Sequence, residues 1–156
     1  MTAYVVFDAI KAGKITLDKK IGCSELAFSQ PPSKVGLPVG AEMTVETALQ
    51  ALIVKSANDV AVMLAEAVAG SQDAFVETMN ATAARLGMTR TKFVNANSLP
   101  AAEQVTTARD LAKLAMAVVK DYPEYAPFGR CWMFASATAT CAPTMACSRT
   151  TKAPTA

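Results

Sequence analysis

The sequence predicts a mainly α-helical chain, and two patterns lead to that prediction. Apolar residues recur every three or four positions in several segments, which is the spacing of an amphipathic helix. Serine or threonine precedes most of these segments and glycine or proline follows them, as helix caps and helix stops require. The alternating pattern of a β-strand is weak and is confined to residues 25–28.

The first predicted helix covers residues 3–12, where Tyr4, Phe7 and Ile10 form one apolar stripe. Gly13 supplies a C-terminal stop. No capping residue precedes the stripe, so we expect the first turns of this helix to lie upstream of the chain. The next stretch, residues 14–40, is interrupted by several prolines and glycines and is predicted to be irregular.

The strongest helical signal opens at Thr44, which can cap the helix that follows. A second helix is predicted from near Ser56 to Gly70, and a third from Ser71 to Gly87. Each of these segments carries apolar residues at helical spacing, so each is expected to bury one face.

A fourth helix is predicted to begin at Thr106-Thr107, with Asp110 placed for a capping box, and to end by Pro123. The segment before it, residues 88–100, is interpreted as a loop rich in threonine and asparagine. The expected apolar face of the fourth helix consists of Leu111, Leu114, Ala115, Val118 and Val119.

The character of the sequence changes near its C-terminal end. No aspartate or glutamate follows Glu124, and no helix or strand period survives from residue 129 onward. We therefore assign residues 1–128 to one partial domain and residues 129–156 to a divergent tail. The tail is either disordered or not native to this fold. We favour the second interpretation because Trp132 and three cysteines are unusual in a solvated segment.

Composition excludes several kinds of site from this chain. It has no histidine, which removes Ser-His-Asp triads and histidine-based zinc sites. The formal net charge is only +2, so we expect no binding to nucleic acid. The four cysteines form no Cys-x-x-Cys pair, and we expect neither a metal nor a cofactor. No apolar run approaches the ~20 residues of a membrane span, and no signal-peptide pattern is visible.

The segment Lys55-Ser56-Ala57-Asn58-Asp59 joins two apolar helices and is the candidate for chemistry. Taken alone, Ser56-x-Asn58 is a weak pattern that arises often by chance. Ser56 followed by Asp59 and an apolar run is also the pattern of a capping box. Spacing alone favours this structural interpretation over a catalytic role.

The residues around Ser56-x-Asn58 favour the catalytic interpretation instead. The stretch from Leu49 through Ser56-x-Asn58 to Glu66 resembles the second motif of the penicillin-binding D-alanyl-D-alanine carboxypeptidases. Further segments match the same family in order and at sensible spacing: residues 1–10, 40–45, 75–80, 84–88, 91–95 and 106–112. The resemblance covers about residues 1–128.

The family clusters three motifs, Ser-x-x-Lys, Ser-x-Asn and Lys-Thr-Gly. The first supplies a serine nucleophile and a lysine base, and the third binds the terminal carboxylate of the substrate. The resemblance implies that Ser56 relays a proton toward the leaving group and that the Asn58 amide holds the substrate peptide. Lys55 receives no catalytic role, because adjacent helical residues do not face each other.

Two of the three motifs have no counterpart here. The chain contains neither Ser-x-x-Lys nor Lys-Thr-Gly, so it offers no nucleophile of its own, and we expect no turnover from it alone. The missing motifs are expected before Met1 and beyond Phe128. Ser98 stands where the family usually has glycine, so we expect a strained turn with positive φ there.

The implied fold is the α+β fold of serine β-lactamases and penicillin-binding transpeptidases, with this chain supplying the helical region and lacking most of the sheet. The implied substrate is a peptidoglycan stem peptide ending in D-Ala-D-Ala. The implied inhibitors are β-lactams, and the implied location is the cell envelope or periplasm. Two alternatives stay open: a non-catalytic helical module that binds a partner or a muropeptide, and a truncated product without function.

Overall fold

The computed structural model describes residues 1–125. In this range the elements are α1 (Thr2–Lys11), β1 (Lys20–Gly22), α2 (Glu25–Phe28), β2 (Glu42–Thr44), α3 (Val45–Lys55), α4 (Asn58–Ala69), α5 (Gln72–Arg85), α6 (Ala108–Asp121) and a final 3-10 turn (Pro123–Tyr125). The prediction of a mainly α chain is confirmed. None of the helices in this range is long and apolar enough to cross a membrane. The predicted tail from residue 129 lies outside the described residues.

Helix α4 forms the centre of the fold. Every residue from Asn58 to Ala65 is buried, because α2, α3 and α5 pack around the helix and α1 also contacts it. A helix that is apolar on all sides needs such an environment. Helix α1 contributes four consecutive buried side chains, Tyr4 to Phe7, to the same core.

Three of the predicted helix starts are confirmed by their caps. Thr44, Ser71 and Thr107 each accept a hydrogen bond from the backbone N–H three residues further on. These bonds satisfy amides that the first turn of a helix cannot pair internally.

The capping-box interpretation of the motif is wrong. Helix α4 begins at Asn58, and its N-cap is Ala57, which has no side-chain cap. Ser56 instead ends α3, with φ 53° and ψ 47° in the left-handed region. The second predicted capping box is only half formed. Thr107 does accept from the Asp110 backbone N–H, but the Asp110 carboxylate turns away to Arg90 and Thr91.

The weak strand predicted at residues 25–28 is also wrong. Those residues form α2, because the Ser24 hydroxyl caps the turn by accepting from Ala27 N–H. The strands lie on either side of it. β1 and β2 pair antiparallel, with Ile21 opposite Met43. Each strand has only three residues, which is too short for an alternating pattern to show in the sequence.

Candidate functional site

The two-residue junction between α3 and α4 holds the first predicted site residue, Ser56. Its left-handed backbone ends α3 and turns the chain into α4. A side chain in this conformation is uncommon outside glycine, asparagine and aspartate, and such strain is often found at functional sites. Ala57, the other junction residue, is buried, whereas Ser56 is exposed. The fold therefore leaves Ser56 accessible at the bend between the two helices.

Ser56 lines a cavity of about 220 Å³. The other walls come from four parts of the chain: Met1, Thr2 and Ala3 at the start of α1, Leu52 and Ile53 at the end of α3, Ala57 and Ala61 at the start of α4, and the loop residues Ala96, Asn97 and Ser98. The structure thus brings Ser56 together with the beginning of α1.

The loop wall is tied to the first turn of α1. The Thr2 hydroxyl donates to the backbone carbonyl of Ala96 at 2.5 Å, and both residues are buried. Ser98 follows with φ 62°, so the expected positive φ at this position is confirmed. A serine at such a φ carries a backbone strain that glycine would avoid.

Asn58, the second predicted site residue, occupies the first turn of α4 and is only 6% exposed. Its side-chain Nδ2 donates to the Pro31 carbonyl at 2.9 Å, and its backbone N–H donates to the Ser33 carbonyl at 2.8 Å. Within residues 1–125, no hydrogen bond is made to the Asn58 carboxamide oxygen. The side chain is therefore held on its nitrogen side and has a free acceptor on its oxygen side.

Asp59, next to Asn58, is a buried acid that the sequence analysis interpreted only as half of a capping box. It is only 1% exposed. Its carboxylate accepts hydrogen bonds from the backbone N–H groups of Val35 and Gly36. The signal that could have found it is an acid inside an otherwise apolar helix, since a buried charge needs partners.

Lys55 is exposed and does not line the cavity. A larger cavity, of about 780 Å³, is elsewhere. It lies along α6, between side chains such as Leu86, Met116 and Val119, and holds none of the predicted site residues. The small cavity is lined by Ser56 and Ala57 of the motif but not by Asn58.

Comparison with known proteins identifies the family. The model of the D-alanyl-D-alanine carboxypeptidase family, peptidase S11, matches residues 1–140. The D-alanyl-D-alanine carboxypeptidase DacC of Escherichia coli is 38% identical over 130 residues, which is 80% of this chain and 32% of that protein. DacF of Bacillus subtilis is 36% identical over 120 residues, covering 77% of this chain and 31% of that protein.

Solved structures of related proteins superpose on this chain. The carboxypeptidase DacD from Francisella tularensis superposes with a TM-score of 0.80 at 39% identity, covering 82% of this chain and 31% of that one. Penicillin-binding protein 5 from Haemophilus influenzae gives a TM-score of 0.76 at 34% identity, over 79% of this chain and 37% of that one. The chain thus spans about a third of the length of these relatives, and its fold is that of the penicillin-binding proteins. It belongs to the D-alanyl-D-alanine carboxypeptidase family of serine peptidases.

Proposed function

We propose that this chain supplies the proton-relay and substrate-holding part of a serine D-Ala-D-Ala carboxypeptidase centre. Ser56 is the relay hydroxyl, and Asn58 is the amide that holds the substrate peptide. The observation that carries the proposal is the cavity that Ser56 shares with the first turn of α1. In this family the Ser-x-x-Lys motif precedes that helix, so a nucleophile placed there would face Ser56.

The reaction is an acyl transfer to serine. The nucleophile attacks the carbonyl of the D-Ala-D-Ala bond, D-alanine leaves, and water then hydrolyses the acyl-enzyme. The departing amine must receive a proton. A hydroxyl can accept one proton while it donates another, so Ser56 can pass a proton on to that nitrogen. The substrate class is a peptidoglycan stem peptide, β-lactams acylate the same nucleophile, and the place of action is the cell envelope.

For the 156-residue chain alone we propose no turnover. Its sequence contains neither Ser-x-x-Lys nor Lys-Thr-Gly, so Ser56 has no nucleophile to serve. The purified chain is expected to release no D-alanine from a peptide ending in D-Ala-D-Ala. It should also form no adduct with a fluorescent penicillin that survives a denaturing gel. A labelled band would contradict this part of the proposal.

A chimera tests the site directly. The region of E. coli DacC that matches this chain is replaced by the chain's own residues, and D-alanine release is measured. We expect an active chimera, in which Ser56→Ala lowers kcat by about 10²–10⁴-fold, as removal of a proton-transfer group does. Ser29→Ala is the control, because that serine is exposed and its hydroxyl bonds only to the Leu26 carbonyl.

Two results would overturn the proposal. One is a chimera in which Ser56→Ala keeps the full rate. The other is a chimera that binds the peptide but never hydrolyses it, while DacC treated in the same way stays active. That second result would favour the non-catalytic binding module.

A further inference from the structure

We propose that Asp59 is a positioning residue: it clamps the loop of residues 31–36 onto the start of α4 and thereby fixes the direction of the Asn58 carboxamide. This inference rests on the proposed function, because it explains how the proposed substrate-holding amide is oriented. Asp59 itself does not line the cavity beside Ser56, so it acts through its neighbours.

The clamp is a buried carboxylate that binds backbone amides. Oδ1 accepts from Val35 N–H at 3.1 Å, and Oδ2 accepts from Gly36 N–H at 2.8 Å. Oδ1 also accepts from Val60 N–H at 2.9 Å, in the first turn of Asp59's own helix. No ion pair joins Asp59 to a cation within residues 1–125. The charge is therefore stabilised by amide dipoles and by the N-terminal end of α4.

The loop depends on these bonds because it buries little. Apart from the half-buried Lys34, residues 31–36 are all exposed, so apolar burial cannot hold the loop in place. Gly36 has φ +83°, a left-handed conformation that suits glycine and turns its N–H toward the carboxylate. Hydrogen bonds, and above all the pair to Asp59, keep the loop docked.

The docked loop in turn holds Asn58. The Pro31 carbonyl accepts from Asn58 Nδ2, the Ser33 carbonyl accepts from Asn58 N–H, and the Ser33 hydroxyl donates to the Lys55 carbonyl at 2.9 Å. If the loop detaches, Nδ2 loses its acceptor and the carboxamide is free to rotate. The amide of the motif is thus oriented by a residue one position further along the same helix.

The residue before this loop also contacts the wall of the cavity that residues 96–98 form. Gln30, next to the loop, accepts through Oε1 from Asn97 Nδ2 at 2.8 Å, and Asn97 lines the cavity with Ser56. The Asp59 hydrogen bonds therefore stabilise residues 30–36, a segment that contacts both the motif and the loop of residues 96–98. Releasing it should disturb both sides of the cavity.

Asp59→Asn is the test substitution, because it keeps the size of the side chain and removes one of the two acceptor oxygens. In the ¹⁵N-labelled 156-residue chain, we expect the Val35 and Gly36 amides to exchange with deuterium at least about tenfold faster. The side-chain NH₂ signals of Asn58 should shift toward those of a solvated amide. The buried amides of α4, such as Met63, should keep their protection.

Two controls separate a clamp from general destabilisation. Asp73→Asn removes another acid from the first turn of a helix, but at an exposed position, and should leave all these signals unchanged. Ser33→Ala removes only the bond to Lys55 and should leave the Asn58 signals in place. The proposal is overturned if Asp59→Asn leaves the Asn58 NH₂ signals unchanged, if the α4 amides lose protection equally, or if Ser33→Ala has the same effect as Asp59→Asn.

The DacC chimera supplies a kinetic readout that a merely structural role would not give. There, Asp59→Asn should raise KM for the D-Ala-D-Ala peptide more than it lowers kcat, because it disturbs a substrate-holding amide. An inactive parent chimera would count against the proposed function, whereas the amide signals of the free chain would still decide the clamp.

Discussion

Helices α4 and α6 are both rich in apolar residues, yet the fold uses them differently. In α4, eight consecutive residues are buried, from Asn58 to Ala65. In α6 only Asp110 and Leu114 are buried, while Met116 and Val119 are each 72% exposed. Helical periodicity thus identifies both helices but does not show how many neighbours each one has.

The two helices are also held by different forces. Helix α4 is held by burial on all sides, whereas α6 is attached mainly at its ends by polar groups. At the C-terminal end, Tyr122 donates to Asp8 on α1, and Tyr4 donates to Asp121 at 2.8 Å. At the N-terminal end, Asp110 accepts from the backbone N–H of Arg90. The comparison predicts that core substitutions damage α4 and that polar substitutions damage α6.

The largest expected effect comes from opening a void in α4. Leu64 is fully buried, so Leu64→Ala should lower the free energy of unfolding by about 2–5 kcal/mol, as large-to-small core substitutions do. Met116→Ala on α6 is the matched control and should change it by less than about 0.5 kcal/mol. Urea unfolding measures both. Equal losses would show that the outer face of α6 is packed in solution.

The second effect concerns the C-terminal attachment of α6. Tyr122 is 2% exposed, and its hydroxyl donates to an Asp8 carboxylate that also pairs with Arg85. Tyr122→Phe removes that donor and should cost about 1.5–3 kcal/mol, the range for a hydrogen bond to a charged group. Hydrogen exchange should show the amides of α6 opening before those of α4. If both helices open together, α6 is not a separately attached element.

The smallest effect is expected at the N-terminal attachment and depends on pH. Burial by itself would raise the pKa of Asp110, but hydrogen bonds from Arg90 N–H, Lys113 and Thr91 lower it below its usual value. A lowered folded-state pKa stabilises the fold above the unfolded pKa, near 4, and that stabilisation is lost as the pH falls through the folded value.

The measurement compares the parent chain with Asp110→Asn by urea unfolding between about pH 6 and pH 3. The parent should be the more stable at the upper end, and the difference should shrink as the pH falls below about 4. A difference that is constant over this range would mean that the charge of Asp110 does not contribute.

The features that could be predicted from the sequence were those set by residues close together in the chain. The caps Thr44, Ser71 and Thr107 were predictable because a cap bonds to an amide three residues away. The positive φ of Ser98 was predictable from the glycine that the family has there. The family itself followed from several short matches in order, and each of those was too weak to decide anything alone.

Two other features could not be predicted because they depend on contacts between distant parts of the chain. The role of Asp59 depends on amides more than 20 positions away, at Val35 and Gly36. The predicted buried face of α6 was partly wrong: Leu111, Ala115 and Val119 belong to it but are exposed. Which edge of an apolar helix is buried is decided by neighbours from distant parts of the chain. The catalytic roles of Ser56 and Asn58 stay predictions.

The left-handed bend at Ser56 has an electrostatic consequence. The carbonyl end of α3 and the amide end of α4 meet at this residue, so a partial negative and a partial positive charge flank one hydroxyl. Between partial charges of opposite sign the electrostatic potentials partly cancel, so we expect the two helix ends together to change the proton affinity of Ser56 Oγ only slightly. If Ser56 relays a proton as proposed, this position between two helix ends would favour neither its acceptance nor its donation.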